Sequence, residues 1–276
     1  MIEIGNYNTL KISRIVSIGL YLADEDDNEV LLPNKYVPEG VKTGQDLEIF
    51  CYLDNEERPV ATTLKPFVKR DEFGFLRVAE VNEYGAFLDW GLEKHLLVPF
   101  REQQFDMEEG QWYVVYCYLD PQSFRMVASS RLERFLDNTN AVYEQGQEVR
   151  IMVNRKTDLG WEVIIDGKHI GLVYADEVYK PVAPGDNLLG YIKKVRSDQK
   201  IDISLQSLGF GKLESSAQKV YDTLMERGGV LKLHDKSDPQ EIKDQLQMSK
   251  KTFKKAIGIL YKARRISISP DGIYKK

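Results

Sequence analysis

Between residues 10 and 206 the apolar positions fall in short runs, many of them alternating with polar residues, and turn signals separate the runs. That is the pattern of short, half-buried β-strands in an all-β barrel or sandwich. Gly74–Val81 predicts a first strand, Ala86–Trp90 a second after the Tyr84-Gly85 turn, and His95–Pro99 a third. Gln111–Leu119 is a long fourth strand crowded with aromatics, and Phe124–Ser129 closes the set. The same plan precedes it in Leu10–Val16, Gly19–Ala23, Val30–Leu32, Asp46–Leu53 and Val60–Leu64. It follows again, at lower similarity, in Glu148–Asn154, Trp161–Asp166, His169–Tyr174, Asn187–Val195 and Lys200–Gln206.

An internal repeat supports this division. Cys51-Tyr52-Leu53-Asp54 returns 66 residues later as Cys117-Tyr118-Leu119-Asp120. Each copy follows a Gly-Gln step (Gly44-Gln45, Gly110-Gln111) and precedes a small-residue strand, Val60–Thr63 or Val127–Ser130. Gly185-Asp186 stands in the corresponding place of the third unit. Five short strands per unit suit a Greek-key barrel of the OB type, because closure removes exposed sheet edges. Lys65–Arg70 is a short joint containing Pro66, and Arg131–Leu136 predicts a short helix between the second and third units.

After the Gly-rich stretch Ser207–Glu214 the period changes to that of helices. Ser215 or Ser216 can cap a helix burying Ala217, Val220, Tyr221, Leu224 and Met225, ended by Gly228-Gly229. Asp238-Pro239-Gln240-Glu241 starts a second helix with Ile242 and Leu246 inward. Ser249 caps a third, with Phe253, Ala256, Ile257, Leu260 and Tyr261 as its buried stripe. Arg264–Ser269 and Ile273–Lys275 flank a hairpin turn. Three helices and a hairpin predict a winged helix-turn-helix. The expected architecture is therefore mainly β: three tandem five-stranded OB barrels (1–65, 71–131 and 144–207), then a small α+β winged helix domain (212–276).

Charge sharpens this picture. The chain has 276 residues and a net charge of −5. Lys212–Lys276 holds 15 Lys and Arg against 8 Asp and Glu, leaving 23 against 35 in front. A basic tail behind an acidic front points to a polyanion partner for the tail; the plainer alternative is surface solubilisation. No apolar run is long enough to cross a bilayer, and the N-terminus lacks a signal-peptide pattern. The two cysteines hold equivalent repeat positions, so a pair of buried thiols in a reduced, cytoplasmic protein is expected.

No constellation for catalysis stands out. His95, His169 and His234 are isolated, two distant cysteines make no zinc site, and there is no phosphate-cradling Gly-x-x-x-x-Gly-Lys-Ser/Thr loop. Neither an enzyme nor a cofactor is expected.

The sharpest local signal is Glu83-Tyr84-Gly85-Ala86-Phe87-Leu88-Asp89-Trp90-Gly91, with Leu96-Leu97-Val98-Pro99 after it. It resembles the S1 RNA-binding motif. The resemblance implies that Tyr84 and Phe87 stack on bases; Trp90 is an added candidate, and Arg125 lies on the closing strand. An aromatic on an open barrel face suits single strands, since every base offers a π-face. The alternative for these rings is core or inter-domain packing. S1 domains commonly carry a histidine after Leu-Val on the third strand; here Pro33, Pro99 and Tyr174 occupy that place. Of these only Tyr174 can stack or hydrogen-bond. In the first unit Gly19-Leu20-Tyr21 keeps one aromatic, and Asp24-Glu25-Asp26-Asp27 should repel phosphate, so weak RNA binding or none is expected there.

Two basic groups complete the candidates. Lys193, Lys194, Arg196 and Lys200 form a possible phosphate edge of the third barrel. Lys250, Lys251, Lys254, Lys255 and Lys262 lie off the buried stripe of the third helix, with Arg264 and Arg265 at the start of the wing. Lysines position a backbone without specifying bases, so sequence-specific duplex readout is not expected. Three S1-like barrels and a winged helix together resemble the conserved virulence factor B family of bacterial S1 proteins, from about Leu10 to Lys276. The resemblance implies an RNA-binding regulator of gene expression. The expected partner is single-stranded RNA, with DNA second, and a monomer off the membrane is expected. A DNA-binding transcription regulator and a protein-interaction scaffold are the alternatives.

Overall fold

A computed structural model describes residues 1–178, 181–205 and 213–276. Gln206, most of the Gly-rich joint 207–214 and the side chain of Ser215 lie outside the described residues. The chain falls into two compact units: both front barrels with part of the third, and the remainder of the third with the C-terminal domain.

The first barrel comprises β1 (Tyr7–Val16), β2 (Gly19–Ala23), β3 (Glu29–Pro33), β4 (Asp46–Leu53) and β5 (Pro59–Thr62). The second comprises β6 (Glu72–Asn82), β7 (Gly85–Asp89), β8 (Leu96–Pro99), β9 (Trp112–Leu119) and β10 (Met126–Ser129). The third comprises β11 (Glu148–Thr157), β12 (Gly160–Ile165), β13 (His169–Tyr174), β14 (Asn187–Val195) and β15 (Ile201–Ser204). All three are closed and share one order, first-second-third-fifth-fourth strand. A parallel pairing of third strand with fifth appears as Leu31↔Val60 in the first barrel and Leu97↔Val127 in the second. A 3-10 turn that the pattern did not predict follows the third strand each time, at Asn34–Tyr36, Phe100–Glu102 and Ala175–Glu177.

The repeat has a structural meaning. Each first strand carries a register shift at one place, after Ile12, Val78 or Val153. There the Gly-Gln step docks. Gly44 donates its N–H to the Ile12 carbonyl (2.8 Å), and Ile12 donates to Gln45 (2.9 Å). Gly110, Val78 and Gln111 repeat this, as do Gly185, Val153 and Asp186. The turn glycines have φ near +82 to +87°, a conformation that favours glycine. A bulge raises local twist, which barrel closure needs. Cys51 and Cys117 are fully buried. Their carbonyls accept the N–H of Gly5 and of Asp71, and Ile192 does the same for Gly146. Burial pushes the Cys51 thiol up to about 12 and raises that of Cys117 too. The Asp of the tetrapeptide closes the hairpin that follows: Asp54 accepts from the N–H of Glu56 and Arg58, and Asp120 from that of Gln122.

A second glycine recurs at the start of each second strand, Gly19, Gly85 and Gly160, with φ of 156°, 144° and 152°. A methyl group at Gly85 would lie 2.3 Å from the Val98 carbonyl oxygen. The Gly85→Ala variant is therefore expected to destabilise the second barrel by about 2–3 kcal/mol, read as a lower thermal midpoint. A loss below about 0.5 kcal/mol would show that the strand can move aside.

The first two barrels share a core. The cluster of the second runs into Phe50, Tyr52 and Val60 of the first. The joint between them is bonded on both sides: Phe67 N–H to the Trp90 carbonyl (2.8 Å) and Arg70 N–H to the Gly5 carbonyl (2.8 Å). The aromatics of β9 face the next junction. Tyr116 stacks on Phe135 with centroids 4.2 Å apart, beside Val114, Leu132 and Ile164. The predicted helix at 131–136 is reduced to a 3-10 turn, Leu132–Arg134.

The C-terminal domain holds α1 (Leu213–Glu226), β16 (Val230–Leu231), α2 (Pro239–Leu246), α3 (Lys250–Lys262), β17 (Ile266–Ser269) and β18 (Gly272–Lys275). The sheet order is β16-β18-β17; the short β16 was not predicted. Gly229 donates to Leu224 and Gly228 to Met225, which ends α1. Asp238 caps α2 through the Gln240 N–H, and Ser249 caps α3 through the Thr252 N–H. Ala217, Val220, Leu224, Ile242, Leu246, Phe253, Ala256, Ile257 and Leu260 form the core. Tyr261 and Met225, expected inside, are turned outward at 55% and 41% exposure. Each sits at the margin of its helical stripe, where packing decides.

Candidate nucleic-acid interface

The turn before β7 lifts Tyr84 into solvent. The Asn82 side-chain oxygen accepts the Tyr84 N–H (3.0 Å), and the ring is 66% exposed. Phe87 lies half-buried on β7, opposite Leu97 of β8. Both rings line a groove of about 400 Å³. The far wall belongs to the first barrel: Tyr52, Leu53, Asn55 and Glu57. Glu93, Lys94, the exposed His95 and Arg125 add polar groups to the lining, and Leu96, Leu97, Met126 and Val127 add apolar ones.

Trp90 also lines this groove, but as its floor. It is 2% exposed, its Nε1–H donates to the Lys94 carbonyl (2.6 Å), and its ring meets Phe50 edge-on at 5.9 Å. Its faces are used in packing, so the core alternative describes it and it drops out of the stacking set. Arg125 pairs with the Glu57 carboxylate of the first barrel. The Lys94 ammonium donates to the Asp54 carbonyl (2.6 Å), and burial lowers its pKa. Asn55, Glu57 and Lys94 were not singled out from the sequence. Nothing local marks them, because they reach the site only through the packing of one barrel on the next.

The positions equivalent to Phe87 are covered in the other barrels. Tyr21 stands where Phe87 stands, and the Arg14 guanidinium lies 3.9 Å from its ring centroid, held by Glu29 at 2.6 Å. In the third barrel the position is Glu162, which pairs with Arg155 (2.9 Å) and Asn154 (2.8 Å). Ile18 and Leu159 replace Tyr84 before the glycine. Among the described residues, only the second barrel pairs an exposed aromatic with an aromatic ring that no guanidinium covers.

Tyr174 ends β13 half-buried, and Arg196 donates to its hydroxyl. Lys200 pairs with Asp198 at 3.4 Å. Lys194 is exposed on β14 and Lys193 half-buried. The third-barrel edge is thus partly engaged already.

On α3, Lys251, Lys254, Lys255 and Lys262 are exposed and Lys250 is half-buried. Among the described residues none of the five pairs with a carboxylate, and α3 has no acidic residue in its first turn. Several barrel arginines differ: Arg14, Arg58, Arg134 and Arg155 each hold a carboxylate within 3 Å. The Gly258 backbone faces open space. Arg264, exposed, adopts a left-handed φ of 57° at the end of α3, and Arg265 sits over the Tyr221 ring at 5.3 Å. No helix among the described residues is long and apolar enough to cross a membrane.

Comparison with known proteins agrees with this layout. An S1 domain model matches residues 4–64, the first barrel, and a CvfB-like winged helix domain model matches residues 218–274. Both are nucleic-acid-binding domain families. The protein YitL of Bacillus subtilis is 28% identical over 99% of this chain and 93% of its own. Conserved virulence factor B of Staphylococcus epidermidis is 26% identical over 91% of this chain and 83% of its own. A crystal structure of a multidomain protein with nucleic acid binding domains from Streptococcus pneumoniae is 25% identical, covers 99% of this chain and 98% of that one, and superposes with a TM-score of 0.42. With an S1 domain at its front and a CvfB-like winged helix domain at its back, the chain resembles the conserved virulence factor B proteins over most of its length.

Proposed function

We propose that the protein binds single-stranded RNA as a non-enzymatic, cytoplasmic regulator of gene expression, working as a monomer. The second barrel stacks bases on Tyr84 and Phe87, while the lysines of α3 hold the phosphate backbone. The observation that carries this reading is the uncovered Tyr84–Phe87 pair over a groove, at a position where the other two barrels have a capped or charged side chain. The unpaired lysines of α3 supply the electrostatic half. Its short wing, a hairpin with Pro270 and Asp271 at the tip, and its scarcity of base-reading side chains fit backbone contact better than duplex readout.

The test is fluorescence anisotropy of a mixed-sequence single-stranded RNA, the matched single-stranded DNA and a duplex, titrated with the full chain over a salt series. The tightest binding is expected for single-stranded RNA, with affinity falling steeply as salt rises, because bound phosphates release counterions. Preference for duplex DNA would transfer the function to the winged helix alone. No binding to any of the three would favour a protein partner.

A further inference from the structure

The groove beside Tyr84 is built by two barrels, and its charges are arranged in an unusual way for a nucleic-acid site. The lysine and the arginine that line it are both already engaged, Arg125 with Glu57 and Lys94 with the Asp54 carbonyl, while Lys35 pairs with the lining carboxylate Glu93. Two carboxylates, Glu57 and Glu93, line it. A phosphate entering would meet like charge and no unused lysine or arginine. A base is neutral and brings its own donors. The groove therefore suits the edge of a nucleobase whose face lies on Tyr84 and Phe87, with the backbone left at the rim.

The first barrel supplies the groups that meet that edge. Glu57 sits in the β4–β5 hairpin with a left-handed φ of 64°. One of its oxygens meets Arg125; the other accepts no hydrogen bond among the described residues, although the Lys94 ammonium lies close enough to feel its charge. Asn55 lines the same wall. A carboxylate only accepts hydrogen bonds. Adenine, cytosine and guanine offer an exocyclic amino group to such an acceptor. Uracil offers one ring N–H between two carbonyl oxygens, and those oxygens repel a carboxylate.

Building on the base-stacking role of the groove, we propose that the β4–β5 hairpin of the first barrel makes this a selective pocket. Through Glu57 it favours bases bearing an exocyclic amino group over uracil. The first barrel is then an edge-reading wall for its neighbour and not a separate RNA platform.

Cytosine and uracil stack to a similar extent, so their ratio isolates the edge. Short ribo-oligomers of C and of U are competed against a labelled strand on the full chain. The wild-type protein is expected to prefer C about fivefold, since a hydrogen bond to a half-exposed charged acceptor is worth at least that. The Glu57→Gln variant should bring the ratio to about one or reverse it, because its amide can donate to the uracil carbonyls. A wild-type ratio of one, or a ratio unchanged by Glu57→Gln, would overturn the proposal. So would a uniform gain for both oligomers with a steeper salt slope, which would mean that Glu57 only neutralises Arg125. Tyr84→Ala separates the two levels. If it leaves binding of both oligomers unchanged, no base occupies the groove and the proposed function itself fails there; if it weakens both alike while the C-to-U ratio stays at one, only the selectivity fails.

Discussion

Replacing Tyr84 and Phe87 together with alanine is expected to weaken single-stranded RNA binding about a hundredfold, by a similar factor at every salt concentration. Each base–aromatic stack contributes roughly 1–3 kcal/mol. Two such losses would span about 2–6 kcal/mol; the lower part of that range applies because Phe87 is half-buried and offers only part of its face. Tyr84→Ala alone should cost about tenfold and leave the fold intact, since its ring stands at a turn tip and its N–H bond to Asn82 belongs to the backbone. Phe87→Ala will also remove some packing, so its thermal midpoint must be measured beside its affinity. The discriminating feature is the salt series. Stacking is uncharged, so the plots of log affinity against log salt should run parallel for wild type and variant. Converging lines would mean that the rings act through the placement of cations.

The second large effect concerns slope instead of offset. Changing Lys251, Lys254, Lys255 and Lys262 to glutamine should flatten the salt dependence by about 0.7 for each lysine that meets a phosphate of a single strand. If all four do so, the slope falls by close to three and affinity near 0.1 M salt drops by about two to three orders of magnitude. Stability should hardly change, because these side chains lie off the buried stripe of Phe253, Ala256, Ile257 and Leu260. A matched change at Arg14 should do much less, since Arg14 is already neutralised by Glu29. An unchanged slope in the lysine variant would remove the winged helix from RNA binding.

Much of the scaffold was legible because its signals are local. Strand alternation, the Gly-Gln steps and the Cys-Tyr-Leu-Asp repeat each report a backbone requirement: a pleat, a left-handed turn on a bulge, a buried small residue and a hairpin-closing carboxylate. The caps of α2 and α3 are of the same kind. The site was legible only in part. Tyr84 and Phe87 carry a motif that survives in sequence. Trp90, an added stacking candidate in the sequence, continues the inward face of Ala86 and Leu88 by strand alternation and is the floor between two barrels. The partners Asn55, Glu57 and Lys94, and the pairing that engages Arg125, depend on how one barrel lies against the next. No sequence period encodes that. Tyr261 and Met225 were misplaced for a related reason, since a helical stripe has soft margins and tertiary contacts decide them.

The recurring glycine and bulge positions have a consequence for how such a chain can change. They fix the bulge and the start of the second strand through backbone contacts, so the side chain on the outer face beside them can differ from copy to copy. At the place of Phe87, one copy carries a tyrosine capped by arginine, another an arginine-bound glutamate, and the third a bare phenylalanine. The architecture behaves like a set of identical sockets with exchangeable fittings. New ligand preferences can be tried in one copy while its siblings keep the molecule assembled.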